Sequence, residues 1–124
     1  MTDFAELRER MVERQIAARG IRDAMILDAF RNVSREEFVS SGYGRQVYGD
    51  HPLPIEAGQT ISQPYIVALM IEAAGIKPGD RVLEVGAGSG YAAAVMSRIA
   101  AEVIAIERKP ELVAVATEIG RAHV

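Results

Sequence analysis

No cysteine occurs anywhere in the 124 residues. That excludes disulfides, thiolate zinc sites and a cysteine nucleophile, and it is compatible with a reducing compartment. No apolar run approaches the ~20 residues that a membrane-spanning helix needs. The opening Met-Thr-Asp-Phe-Ala-Glu-Leu-Arg-Glu-Arg is charged throughout, and no secretory apolar core follows it. Positive charge is not in excess either. Fourteen Lys and Arg against 17 Asp and Glu leave a net charge of −3, which favours neither a nucleic-acid partner nor an anionic membrane. The two histidines do not fall at ligand spacing with Asp or Glu, so no metal is expected. A hydrophobic content of 49% and a charged content of 25% are those of an ordinary globular domain, and the length fits one. The expectation is a cytoplasmic protein.

What the chain does have is glycine in one pattern. Residues 82–90 read Val-Leu-Glu-Val-Gly-Ala-Gly-Ser-Gly, an apolar run that breaks into three alternate glycines. Apolar residues then resume at helical spacing in Ala92, Ala93, Val95, Met96 and Ile99. The pattern predicts a buried strand, a turn bare of side chains, and a helix whose positive dipole end faces that turn. A cofactor site is the functional reading; a turn that only joins strand to helix is the structural one. The spacing is Gly86-x-Gly88-x-Gly90, with Tyr91 where a dinucleotide fingerprint needs glycine. Preceded by Glu84, it resembles the first motif of S-adenosylmethionine-dependent methyltransferases with a Rossmann-like fold. S-adenosyl-L-methionine has no pyrophosphate and needs no phosphate cradle. It needs close backbone approach, an anchor for its amino-acid end, and an acceptor for its ribose hydroxyls.

The rest of the chain reads as helices followed by β-α-β-α. Phe4, Leu7, Met11 and Ile16 share helical spacing, with Gly20 as a stop. Asp23 can cap a helix carrying Ile26, Leu27, Phe30 and Val33, and Ser34 to Glu37 fits a capping box. Residues 40–60, rich in Gly and Pro, read as an ordered loop. Ser62 can cap a helix that begins near Pro64 and runs to Gly75. Lys77 to Asp80 make a turn into a strand over 81–85; a second strand over 103–106 ends at Glu107. A last helix near Pro110 carries Leu112, Val113, Ala116 and Ile119.

Two strands joined through a helix imply a parallel pair with a right-handed crossover. Parallel sheets are normally larger and covered on both faces. The expected fold is therefore α/β: a helical and substrate-loop region over residues 1–60, then the first part of a Rossmann-like domain over 61–124. A fragment, a truncated product and a chain that needs a partner all stay open. Self-association through an unfinished sheet edge is a further expectation.

Glu107 closes the second strand about twenty residues beyond the glycine turn, where doubly wound folds place the acceptor for ribose hydroxyls. The alternative is a solvated carboxylate pairing with Arg108 or Lys109. Glu84 can fix the turn through backbone N–H groups or face the ammonium of the cofactor. His51, near Asp50 and Ser62, invites a hydrolase triad, but no Gly-x-Ser-x-Gly nucleophile turn is present.

A second constellation is more specific. Gly58-Gln-Thr-Ile-Ser-Gln-Pro64 resembles the hallmark of the protein-L-isoaspartate (D-aspartate) O-methyltransferases. Arg14-Gln-Ile16, Arg19-Gly-Ile21, Val33 to Val39 and Leu53-Pro-Ile55 are also similar to that family, so the likeness runs from about residue 8 to 118. It implies methyl transfer from S-adenosyl-L-methionine to the side-branch α-carboxylate of isoaspartyl, and D-aspartyl, residues in aged proteins and peptides. The ester then collapses to a succinimide, permitting repair. A carboxylate with a pKa near ~4 is already ionised at neutral pH, so no general base is needed.

By the same resemblance Ser62 is the active-site residue, orienting the substrate carboxylate, while its structural alternative is a plain helix cap. Thr60, Ile61 and Tyr65 are then expected at the substrate. Glu84, Gly86, Ala87, Gly88, Gly90, Glu107, Gln63 and Pro64 are expected at the cofactor. Val33-Ser34 replaces the family's common Val-Pro, and Ala87 stands where bacterial relatives often have Thr. The family also has later strands that contact adenine and close the peptide cleft. The 124 residues alone are therefore expected to bind the cofactor weakly and to transfer methyl groups poorly or not at all. Another methyl acceptor, and a non-catalytic domain that associates through its sheet edge, are the rival readings.

Overall fold

The computed structural model describes the backbone of residues 2–123 and the side chains of residues 2–117. The Ile119 and His123 side chains lie outside the described residues. Helix α1, Phe4–Arg10, starts where the Asp3 carboxylate accepts from the Glu6 amide at 3.1 Å. It widens over Met11–Ile16, tightens over Ala17–Arg19, and stops at Gly20, whose φ of 102° is left-handed. Helix α2, Ala24–Arg31, is capped as expected: Asp23 accepts from the Met25 amide at 2.9 Å. Met11, Val12, Ile16, Ile26, Phe30 and Val33 from this layer are all buried.

The capping box at Ser34 does not form. Residues Arg35–Phe38 make a tight helical turn without a side-chain cap. The Ser34 hydroxyl instead accepts from Arg8 Nη2 at 3.2 Å, while the same guanidinium reaches Glu36 and the Tyr48 hydroxyl. The stretch expected as loop contains more order than that. Tight turns occupy Gly44–Tyr48 and Glu56–Gly58, and strands β1, Leu53–Pro54, and β2, Thr60–Ile61, pair antiparallel.

Helix α3, Pro64–Ala74, has Pro64 at its first position and ends at Gly75 with φ 67°. Its cap is Gln63, so Ser62 is not the cap that the sequence suggested. The Gln63 carbonyl accepts from the Ile66 and Val67 amides, and its side chain is drawn aside to donate to Asp50 Oδ1 at 2.7 Å. Ser62 is left one residue outside the helix.

Strand β3, Arg81–Val85, helix α4, Tyr91–Ser97, and strand β4, Glu102–Ile106, follow in the expected β-α-β order. The strands pair in parallel, with Val82 opposite Val103 and Val85 opposite Ile106. Helix α5, Pro110–His123, follows, with Leu112 buried. One apolar core joins all of this. Tyr91, the first residue of α4, is planted in it edge-on between Phe30 and Phe38, at centroid distances of 6.2 and 5.5 Å. The end of the glycine turn is thereby tied to the N-terminal helices. Among the described residues, no helix is long and apolar enough to cross a membrane.

Candidate cofactor and substrate site

The glycine turn is held from the end of β4. The Ile106 carbonyl accepts from the Gly86 amide at 2.8 Å and the Ala87 amide at 3.1 Å. One residue on, Glu107 Oε1 accepts from the Gly88 amide at 2.8 Å and Oε2 from the Lys109 amide at 2.9 Å. These two backbone bonds, Lys109 first and Gly88 second, hold the Glu107 carboxyl below its ordinary range. Among the described residues Glu107 makes no ion pair, so the salt-bridge alternative with Arg108 or Lys109 is not what the geometry contains. A carboxylate has about four acceptor positions, and these backbone bonds do not fill them, so capacity remains for a diol.

The three glycines differ. Gly86, Gly88 and Gly90 all have positive φ, at 81°, 59° and 89°. A Cβ on Gly86 would meet nothing within 4 Å, so this backbone borders open space. A Cβ on Gly90 would sit 3.2 Å from the Ala116 Cβ. Gly90 is thus a packing glycine that lets α5 approach the start of α4.

Two of the clefts beside the turn share Thr60, Gly86 and Gly88 in their walls. The larger, about 420 Å3, is lined by Gln59, Thr60, Gly86, Gly88, Glu107 and Lys109 among others, a volume in the range of small-molecule sites. The smaller, about 100 Å3, brings Thr60, Ile61 and Ser62 against Glu84, Gly86, Ala87 and Gly88. The motif around Ser62 and the motif around Gly86 therefore line one space.

Glu84 stands out within it. Its Oε1 is buried and, among the described residues, has no hydrogen-bond partner. Burial pushes its carboxyl up to about 7. The reading in which Glu84 fixes the turn through backbone amides is therefore set aside. What remains is a desolvated acid that a cation would satisfy.

The other expected residues lie elsewhere. Pro64 is fully buried in the core. Gln63 is spent on Asp50, and the Tyr65 ring lies under the Arg19 guanidinium at 4.9 Å. Arg19 also pairs with Asp50, so that carboxylate is committed away from His51, whose Nδ1 lies 3.0 Å from the Pro52 carbonyl. The hydrolase triad does not assemble.

Two residues at or behind the site escaped the sequence reading. Gln59 lines the larger cleft, and its place inside Gly58–Pro64 was the signal for it. Arg35 is fully buried; its Nε donates to the Val47 carbonyl at 2.7 Å and its Nη2 to the Ser62 carbonyl at 3.1 Å. Its guanidinium also faces the Tyr91 ring at 4.9 Å. One buried cation thus spans the Ser62 loop and the helix that follows the glycine turn. Burial lowers its pKa. An arginine beside two glutamates gives no sequence sign of burial.

The family model for protein-L-isoaspartate(D-aspartate) O-methyltransferase matches residues 6–123. The chain belongs to that family. A protein-L-isoaspartate O-methyltransferase of Methylorubrum extorquens (strain PA1) is 66% identical over 110 residues, covering 89% of this chain and 48% of the relative. The Koribacter versatilis (strain Ellin345) relative is 56% identical over 116 residues, 94% of this chain and 52% of the relative. A solved protein-L-isoaspartate O-methyltransferase superposes with a TM-score of 0.85 at 35% identity, covering 94% of this chain and 39% of that one. A Plasmodium falciparum chain described as a member, solved in complex with S-adenosyl-L-homocysteine, gives 0.74 at 30% identity, covering 92% and 55%. The chain spans about half the length of the curated relatives of this methyltransferase family that it matches.

Proposed function

We propose that this chain supplies the cofactor turn and substrate loop for S-adenosyl-L-methionine-dependent carboxyl methylation of L-isoaspartyl and D-aspartyl residues in proteins and peptides. The observation that carries the reading is the meeting of Thr60, Ile61 and Ser62 with Glu84, Gly86 and Gly88 in one cleft, next to Glu107. The residues fit the group: a bare backbone, a carboxylate with acceptor capacity left, and a buried acid short of a partner. In functional terms, residues 1–60 carry the helical layer and substrate loop, and residues 61–124 open the cofactor-binding part.

When bound, S-adenosyl-L-methionine supplies an electrophilic methyl group whose sulfonium leaves as a neutral thioether. Every other demand falls on this chain. Glu107 accepts from the ribose hydroxyls through the lone pairs that Gly88 and Lys109 leave unused. Gly86 and Gly88 would admit the nucleoside to the backbone, and Glu84 would take the ammonium. Ser62 donates a hydrogen bond to the substrate carboxylate and orients one oxygen toward the methyl carbon. With the group held there, an O–CH3 bond would form as the C–S bond breaks, and no proton would need to move. Rate enhancement is therefore positioning and exclusion of water, which needs no acid–base pair. A cytoplasmic site of action, on damaged proteins and with neither nucleic acid nor membrane, belongs to the same proposal.

The test is single-turnover transfer of labelled methyl to paired peptides that differ only in Asp versus isoAsp. Label confined to the isoAsp peptide supports the reading, even when transfer by the 124 residues is slow. Equal labelling of both peptides makes this another kind of methyltransferase. Absence of both labelling and S-adenosyl-L-homocysteine binding overturns the proposal.

A further inference from the structure

Arg35 is fully buried, yet among the described residues no carboxylate pairs with it. A buried cation without an anionic partner is costly, so its other contacts have to hold it. Its amide donates to the Tyr48 hydroxyl at 3.0 Å. Two carbonyls, of Val47 at 2.7 Å and Ser62 at 3.1 Å, and the face of Tyr91 at 4.9 Å take the guanidinium. These three come from separate parts of the chain: the Gly44–Tyr48 turn, the residue after β2, and the start of α4.

The far ends of these contacts lie at the candidate site. Ser62 and Tyr91 both line the smaller cleft, whereas Arg35 lines neither cleft. Ser62 is exposed, and among the described residues its hydroxyl makes no hydrogen bond, although its carbonyl is held. A group anchored at the backbone and free at Oγ is suited to present that hydroxyl to a ligand. Tyr91 is fixed from behind by Phe30 and Phe38, and its amide donates to Ser89 Oγ at 3.2 Å, inside the glycine turn. A planar guanidinium can donate along two fixed directions while its face rests on a ring, which an ammonium cannot do.

We propose that Arg35 is a positioning residue for the substrate carboxylate: through the Ser62 carbonyl and the Tyr91 ring it fixes where the Ser62 hydroxyl stands relative to the glycine turn. The inference rests on the carboxyl-methylation reading above and adds to it a determinant that touches no ligand. Alignment of this kind is sensitive, since a shift of about 1 Å at a reacting group costs up to about a hundredfold in rate.

The test is a double-mutant cycle on peptide binding. Calorimetry in saturating S-adenosyl-L-homocysteine compares an isoaspartyl peptide with its Asp counterpart on the chain, on Ser62→Ala, on Arg35→Lys and on the double variant, each shown to be folded by circular dichroism. Ser62→Ala should weaken the isoaspartyl peptide about tenfold, and Arg35→Lys by a similar factor although Ser62 is intact. Because Arg35 acts through Ser62, adding Arg35→Lys to Ser62→Ala should cost less than about twofold more. A purely structural Arg35 would weaken both backgrounds by the same factor. That result overturns the inference, as does unchanged affinity in Arg35→Lys.

The unsubstituted chain gives a second readout. Nuclear magnetic resonance should show the Arg35 guanidinium signals shifting when the isoaspartyl peptide binds, and the shift should vanish in Ser62→Ala. Signals that ignore the peptide overturn the inference whether or not Arg35→Lys folds. These outcomes on Arg35 leave the carboxyl-methylation reading standing. A chain that does not prefer the isoaspartyl peptide, or a Ser62→Ala variant of unchanged affinity, removes that reading and the positioning role together.

Discussion

The amide of Gly88 donates to Oε1 of Glu107 at 2.8 Å, joining the glycine turn directly to the end of the neighbouring strand. Nineteen residues separate the partners in sequence. The bond means that the acceptor proposed for the ribose also sets the shape of the turn against which the nucleoside rests.

Glu107→Ala therefore acts on binding twice, removing an acceptor and releasing the Gly88 and Lys109 amides. S-adenosyl-L-homocysteine affinity should fall by about tenfold or more, as expected for loss of charge-assisted bonds. Glu107→Gln keeps one carbonyl acceptor and should fall less. Isothermal calorimetry on the three proteins decides the matter; equal affinities would remove the ribose assignment. The folded carboxyl is held low by its backbone bonds, so its contribution to stability is present above the ordinary glutamate pKa. It is lost as pH falls through the depressed value.

Glu84 has the opposite sign. Its carboxyl stands at about 7 because burial disfavours the charge, so the folded state holds a proton that the unfolded state gives up. Stability from this group is fully present below the ordinary glutamate pKa and is lost as pH rises through about 7. Thermal melts should show a Tm that declines over this window, and Glu84→Gln should flatten the decline. Binding of the ligand ammonium favours the ionised form. Calorimetry below about pH 7, in buffers of different ionisation enthalpy, should therefore detect proton release on S-adenosyl-L-homocysteine binding. Glu84→Gln should abolish it. Release unchanged in that variant would place the ammonium elsewhere.

Most of the fold was legible because local chemistry decided it. Asp23, Gly20, Gly75 and the run Val82 to Gly90 each have one cheap conformation, and the structure adopts it. The candidate site was legible where spacing carries chemistry: Gly86, Gly88, Glu107 and the Thr60 to Ser62 segment line neighbouring clefts. It was not legible where long-range partners compete for a side chain. Ser34 gives its hydroxyl to Arg8, and Gln63 is claimed by Asp50. Both competitions are between residues more than ten positions apart, which no local pattern encodes.

Arg35 is the clearest product of such long-range packing, and its removal should be costly. Arg35→Met keeps the volume but leaves the Val47 and Ser62 carbonyls without their donor in the interior. A loss of about 3 kcal/mol is expected in urea unfolding. Arg35→Lys retains the charge but cannot span both carbonyls and should recover only part of it. Amide exchange at Ser62 and Gln63 should quicken in both variants at urea concentrations well below the midpoint. Unchanged exchange there would mean that the Ser62 loop is held by other contacts.

Gly86 and Gly90 offer a matched pair of substitutions that separates ligand access from packing. Both have φ between 80° and 90°, so alanine at either carries the same left-handed strain of about 1 kcal/mol. Their surroundings differ. Alanine at Gly90 adds a Cβ 3.2 Å from that of Ala116 and must displace α5, so its stability loss should exceed the common strain by a further ~1 kcal/mol or more. Alanine at Gly86 meets no protein atom within 4 Å, so its stability loss should be the strain alone. The new methyl instead occupies the space that the nucleoside is proposed to enter. Gly86→Ala should therefore lose S-adenosyl-L-homocysteine affinity out of proportion to stability, and Gly90→Ala the reverse. Urea melts and calorimetry on both variants read the two quantities independently. Parallel losses in the pair would mean that Gly86 does not border the ligand.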